Sequence, residues 1–130
     1  MIELRDVTVT FGRGTVLETR ALRGIDLAIP QGQFVSVIGS NGAGKSTLLN
    51  VLSGSAPATT GRILIGGADV TALGTARRAG SLARVFQDPL AGTCAELTIE
   101  ENLALAAARG RRRHLGLADR KSTRLNSSHA

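Results

Sequence analysis

The chain has 130 residues, 42% of them hydrophobic, and a formal charge of +6. That length supports one domain with a core and is short for two, and no apolar run approaches the roughly 18 to 20 residues of a membrane-spanning helix. Much of the positive charge lies in Arg109-Gly110-Arg111-Arg112-Arg113-His114 and beyond, while Tyr and Trp are absent, so direct nucleic-acid binding through a stacking platform is not expected.

The start, Met1 to Asp6, lacks the basic and apolar regions of a secretory signal, which places the protein in the cytosol. Residues Ile2 to Phe11 alternate apolar and polar with many β-branched side chains, as a half-buried strand does. Gly12-Arg13-Gly14 breaks it. Extended segments are predicted from about Thr15 to Arg20 and from Leu22 to Ile29, closed by a turn at Pro30-Gln31-Gly32. These short strands point to an antiparallel sheet. Phe34-Val35-Ser36-Val37-Ile38 is nearly all apolar, the pattern of a parallel strand covered on both faces, with Phe34 assigned to packing.

Gly39-Ser40-Asn41-Gly42-Ala43-Gly44-Lys45-Ser46-Thr47 follows, with the pattern G-x-x-x-x-G-K-S between a strand and a helix. Glycines remove side-chain bulk and admit unusual dihedrals, so successive N–H groups can curl around phosphate oxygens. The next helix points its unpaired N–H groups and positive dipole end at the same anion. Lys45 adds a full charge for the outer phosphates, and the Ser46 hydroxyl is placed to ligate a magnesium ion bridging two of them. The helix is expected to bury Leu48, Leu49, Val51 and Leu52 and to end at Gly54.

A loop at Pro57 to Gly61 leads to a strand at Arg62 to Ile65, and a short helix is predicted near Thr75 to Ala79. Leu82 to Phe86 is strand-like, with Phe86 packed, and Gln87-Asp88-Pro89 ends it. Cys94, the lone cysteine, sits among small residues and reads as a packing or loop position; it excludes an internal disulfide. Thr98 and Glu101 form a capping box that opens a helix to about Ala108. His114 and His129 have no neighbours at metal-ligand spacing.

Together these segments resemble the nucleotide-binding subunit of ATP-binding cassette transporters, over residues 1 to about 117. Gly39 to Ser46 resemble the family's Walker A motif, and Val85-Phe86-Gln87-Asp88-Pro89 its Q-loop. Thr98-Ile99-Glu100-Glu101-Asn102-Leu103 is similar to the segment that opens its helical subdomain, and Phe11 falls where the family places an aromatic residue on adenine. A plain core aromatic on a strand accounts for Phe11 equally well.

The resemblance implies an α/β P-loop NTPase of which this is the N-terminal part: an antiparallel β subdomain, an incomplete parallel-sheet core and the start of the helical subdomain. Residues 1–118 would be a partial nucleotide-binding domain. It implies ATP and Mg2+ as cofactors, with Gly39, Ser40, Asn41, Gly42, Ala43, Gly44, Lys45, Ser46, Thr47 and Phe11 on the nucleotide. Ser46 and Gln87 would hold magnesium, and Lys45 and Gln87 would be the catalytic pair present. The implied partners are transmembrane permease subunits, a second copy of the ATPase and, indirectly, a solute-binding protein, at the inner face of the plasma membrane. Gly14-Thr15-Val16, Ala21-Leu22 and Gly92-Thr93 most resemble a bacterial importer branch, with amino acids as one cargo class.

Two rivals stand beside a transport ATPase: a cassette ATPase acting on ribosomes or DNA, and a nucleotide-binding fragment without activity. A P-loop GTPase would require an N-K-x-D-like segment, which the sequence lacks. The family's LSGGQ signature, its Walker B strand ending in Asp-Glu and its switch histidine find no match. Leu52-Ser53-Gly54-Ser55 stands at the wrong end of a helix to bind phosphate. Asp69 and Asp88 do not fit Walker B, and Glu96, Glu100 and Glu101 are explained by a helix start. Negligible ATP hydrolysis by this chain alone is expected.

The stretch Asp119-Arg120-Lys121-Ser122-Thr123-Arg124-Leu125-Asn126-Ser127-Ser128-His129 back-translates without strain to a string resembling a widely used sequencing adapter. Residues 119–130 are therefore expected to be a non-native tail, excluded from reasoning about the fold.

Overall fold

The computed structural model describes residues 1–111; residues 112–130, which include His114, His129 and the expected non-native tail, lie outside the described residues. Four strands, β1 (Ile2–Phe11), β2 (Thr19–Ile29), β3 (Thr60–Ile65) and β4 (Ala68–Asp69), form one sheet in the order β2-β1-β3-β4. Every pairing is antiparallel. Three α-helices follow the sheet's first hairpin or its last strand: α1 (Lys45–Ser53), α2 (Thr75–Arg78) and α3 (Ile99–Ala107). A 3-10 turn at Pro89–Gly92 separates the last two.

The alternation of β1 puts Leu4, Val7 and Val9 in the core, where they meet Leu22, Ile63, Val70 and, from α1, Val51. Leu4 and Val7 are three apart, an odd spacing that a regular strand cannot place on one face. A bulge at Asp6 absorbs the extra residue: Leu4 faces Leu27 and Val7 faces Ile25, and against β3 the register slips between Arg5 and Thr8. Asp6 takes a positive φ of 48°, and its N–H donates to Asp26 Oδ1 at 2.8 Å. The neighbouring strand makes room through Gly61, whose φ is 93° and where a Cβ would run into the Asp6 carbonyl.

Several expectations are corrected. Of the segment expected at 15–20 only Thr19 and Arg20 are extended, and they run unbroken into the segment expected at 22–29 as one strand, whose ladder with β1 starts at Phe11 and Thr19 and continues to Ile2 and Ile29. Residues 12–18 turn instead: Thr15 N–H donates to Gly12 O at 3.0 Å and Glu18 N–H to Thr15 O at 3.2 Å. Phe34 to Ile38 and Leu82 to Phe86 are not strands among the described residues, since no neighbouring strand offers them ladder bonds. Phe34 and Ile38 are each 94% exposed, so Phe34 packs against nothing, and Phe86 is also on the surface. On α1, Leu48 and Leu52 pack against the core beside Val51, but Leu49 faces solvent.

An apolar stretch with unsatisfied backbone groups is a template for pairing with another chain. We expect the protein to self-associate at micromolar concentration, and Phe34→Ser with Ile38→Ser to shift it toward monomer in sedimentation; a wild-type monomer would contradict this. Gly61→Ala should lower the urea midpoint by the equivalent of about 2 kcal/mol or more, because the new methyl meets backbone at a φ that disfavours it.

Candidate functional site

The predicted phosphate loop leads directly into α1, whose N-cap is Gly44 at φ 92° with no side-chain cap. A Cβ on Gly44 would stand 2.6 Å from the Ala21 carbonyl oxygen and 3.1 Å from Leu22 Cδ2, so only glycine lets the loop pass this close to β2. Leu48 is the first helical residue whose N–H bonds back, to Gly44 O at 2.8 Å. The N–H groups of Lys45, Ser46 and Thr47 have no backbone acceptor among the described residues, and the first turn carries no acidic side chain. The positive end of the helix dipole is therefore uncompensated by the chain itself.

The loop holds its shape by internal bonds. Ala43 N–H donates to Ser40 O at 3.1 Å, and the Lys45 ammonium donates to the carbonyls of Gly39 and Ser40, the latter at 2.7 Å. Gly39 to Ala43 are exposed. An ammonium, three first-turn N–H groups and an open glycine loop converge with no carboxylate paired to Lys45 among the described residues. This donor set fits an anion with several oxygens, such as a polyphosphate.

The other predicted positions are placed but not all joined. Ser46 lies on the first turn of α1 with its hydroxyl exposed, beside Thr47, which is half-buried. Gln87 is exposed in the bend before Pro89–Gly92, and no hydrogen bond links it to residues 39–47 among the described residues. Phe11 ends β1 and is 48% exposed, which removes the core-aromatic reading of that residue. Cys94 is exposed in a loop.

Three residues that sequence reasoning passed over organise the surroundings. Arg78, 3% exposed, donates to Val51 O at 2.6 Å, Leu52 O at 2.8 Å, Leu73 O at 2.8 Å and Thr71 O at 3.3 Å. Burial pushes its pKa below the ordinary arginine value, yet a guanidinium with that much carbonyl contact stays charged. It places a cation at the C-terminal end of α1, where the dipole favours one. Arg84 donates from Nη1 to Asn50 Oδ1 at 2.7 Å and Ser53 Oγ at 3.2 Å, and its guanidinium lies 4.8 Å from the centre of the Phe86 ring. Asn102, on α3, ties down the preceding loop: Nδ2 donates to the carbonyls of Cys94, Leu97 and Thr98, and Oδ1 accepts from Cys94 N–H at 2.9 Å. The predicted Thr98–Glu101 capping box is formed in full.

Residues 22–130 match the ABC transporter family. A tyrosine transport ATP-binding protein of Clostridioides difficile is 38% identical over 111 residues, covering 85% of this chain and 44% of that protein. The ribose import ATP-binding protein RbsA of Streptococcus agalactiae is 39% identical over 104 residues, covering 80% of this chain and 20% of that protein. Among solved structures, the dimeric ATP-binding cassette MJ0796 in a post-hydrolysis state bound to ADP and Pi superposes with a TM-score of 0.73 at 32% identity, over 93% of this chain and 53% of that one. The sheet, the glycine loop and α1 thus define a P-loop NTPase fold. The chain belongs to the ABC transporter family, as part of its ATP-binding cassette. It spans about half or less of the length of these relatives.

The bonds made by Asn102 are the means by which α3 fixes the loop at 94–98. Asn102→Ala should raise hydrogen exchange at Cys94 N–H by roughly tenfold, the loss of about one net hydrogen bond, while β1 amides stay unchanged.

Proposed function

We propose that this chain is the nucleotide-binding portion of an ATP-binding subunit that couples ATP binding and hydrolysis to solute transport across a membrane. The supporting observation is the first turn of α1, whose unpaired N–H groups, glycine entry and Lys45 ammonium face one exposed loop. In this reading Gly39 to Thr47 surround the phosphates of ATP, and Lys45 exchanges its two loop carbonyls for phosphate oxygens. Its charge then offsets the growing negative charge on the transferred group. The Ser46 hydroxyl and the Gln87 amide are the chain's ligands for magnesium, which would polarise the phosphates. Gln87 also connects the site to the membrane subunit. The exposed ring of Phe11 supplies a stacking face for adenine.

The named relatives include proteins for tyrosine transport and ribose import, and the matched solved cassette is dimeric, which supports permease subunits and a second ATPase copy as partners. A solute-binding protein would act indirectly, and the site of action is the cytoplasmic face of the plasma membrane. Among the described residues no helix is long and apolar enough to cross a membrane.

Calorimetry on the purified chain should detect Mg-ATP binding that Lys45→Ala weakens by roughly 10- to 100-fold, the equivalent of a lost charged hydrogen bond. Absence of Mg-ATP binding would overturn the reading. Turnover should be negligible in the same material, because no Walker B carboxylate is matched in the sequence to position water and none is paired with Lys45 among the described residues; hydrolysis that Lys45→Ala removes would refute that part.

A further inference from the structure

The chain's two ends of α1 are treated differently, and the C-terminal end carries a device that the proposed nucleotide chemistry does not itself use. Arg84 reaches across 34 residues of sequence to Asn50 Oδ1 at 2.7 Å and across 31 to Ser53 Oγ at 3.2 Å, and it forms no ion pair among the described residues. Ser53 Oγ is itself fixed, donating to Asn50 O at 3.1 Å and sharing a 2.7 Å bond with Ser55 Oγ. The ring of Phe86, two residues along, has its centre 4.8 Å from the guanidinium carbon. Among the described residues the stretch 82–86 has no ladder partner, and these side-chain contacts join it to the helix.

We propose that Arg84 is a positioning residue that sets the distance between Gln87 and the phosphate loop by anchoring the segment 84–87 to the last turns of α1. The lengths permit it. Three residues span at most about 10 Å, from Arg84 to Gln87. Asn50 lies four residues beyond Ser46, about 6 Å along the helix axis. A chain fastened at Asn50 therefore has enough reach to bring the Gln87 amide beside Ser46. Because α1 is a rigid rod with the phosphate loop at its other end, a ligand that draws on the first turn is felt at the anchor. The inference rests on the proposed nucleotide site.

The test is hydrogen exchange of the full chain with and without Mg-ATP, combined with calorimetry, for wild type, Arg84→Met, Arg84→Lys and Asn50→Ala. In the wild type, Mg-ATP should slow exchange at 84–88 by about fivefold or more, the scale of a local opening equilibrium shifted by a bond or two. Arg84→Met should bind Mg-ATP within about threefold of wild type, a difference below 1 kcal/mol, yet lose that protection. Arg84→Lys should keep part of it, since one donor remains. Asn50→Ala, which leaves the arginine in place, should lose it as well and serves if Arg84→Met does not fold. Protection at 84–88 that survives in Arg84→Met or in Asn50→Ala overturns the anchor while leaving the nucleotide site standing. A wild type that binds no Mg-ATP overturns both.

Discussion

The close approach of Gly44 to the Ala21 carbonyl is the contact on which the rest of the molecule turns. It joins the second strand to the start of α1, and it does so at a backbone angle and a separation that any side chain would obstruct. With that entry fixed, α1 lies so that Val51 enters the core formed by the sheet, and the first-turn N–H groups open onto the glycine loop. A shift of this junction would misplace the core contact and the anion cradle together. The sheet thus serves the site by presenting a rigid backbone for the loop to rest on.

The two ends of α1 show opposite electrostatic solutions. At the C-terminal end the carbonyls of Val51 and Leu52 meet Arg78, and Gly54 turns the chain at φ 80° with its N–H returned to the helix. At the N-terminal end nothing among the described residues plays the matching role; Gly44 provides no side chain, and Lys45 points its charge into the loop. A helix that is finished at one end and open at the other favours an external anion at its open end.

What was legible in the sequence was local. The glycine pattern, the Gly54 stop and the Thr98–Glu101 box depend on residues within a few positions of one another, and each appears in the structure. What was not legible depends on distant partners. Phe34 to Ile38 has the composition of a covered strand, but composition does not report whether a neighbour exists, and among the described residues none stands beside it. Arg78 and Arg84 carried no signal in the sequence, since bonds to residues some thirty positions upstream leave no periodic trace. Asn102 offered a faint signal, a polar residue in the first helical turn directly after the capping box, where a side chain can return to the loop it follows. The family resemblance and the fold agree.

The bulge at Asp6 has an evolutionary corollary. Since one surplus residue lets both Leu4 and Val7 turn inward, the first strand behaves as two half-strands of opposite parity spliced at a single point. Removing that residue, or adding one beside it, would turn one half-strand inside out and bring Glu3 and Arg5, or Thr8 and Thr10, to the apolar side. Length variation among descendants of this sequence should therefore avoid single steps here, and a paired insertion would be the smallest change the hairpin could absorb without reversing its faces.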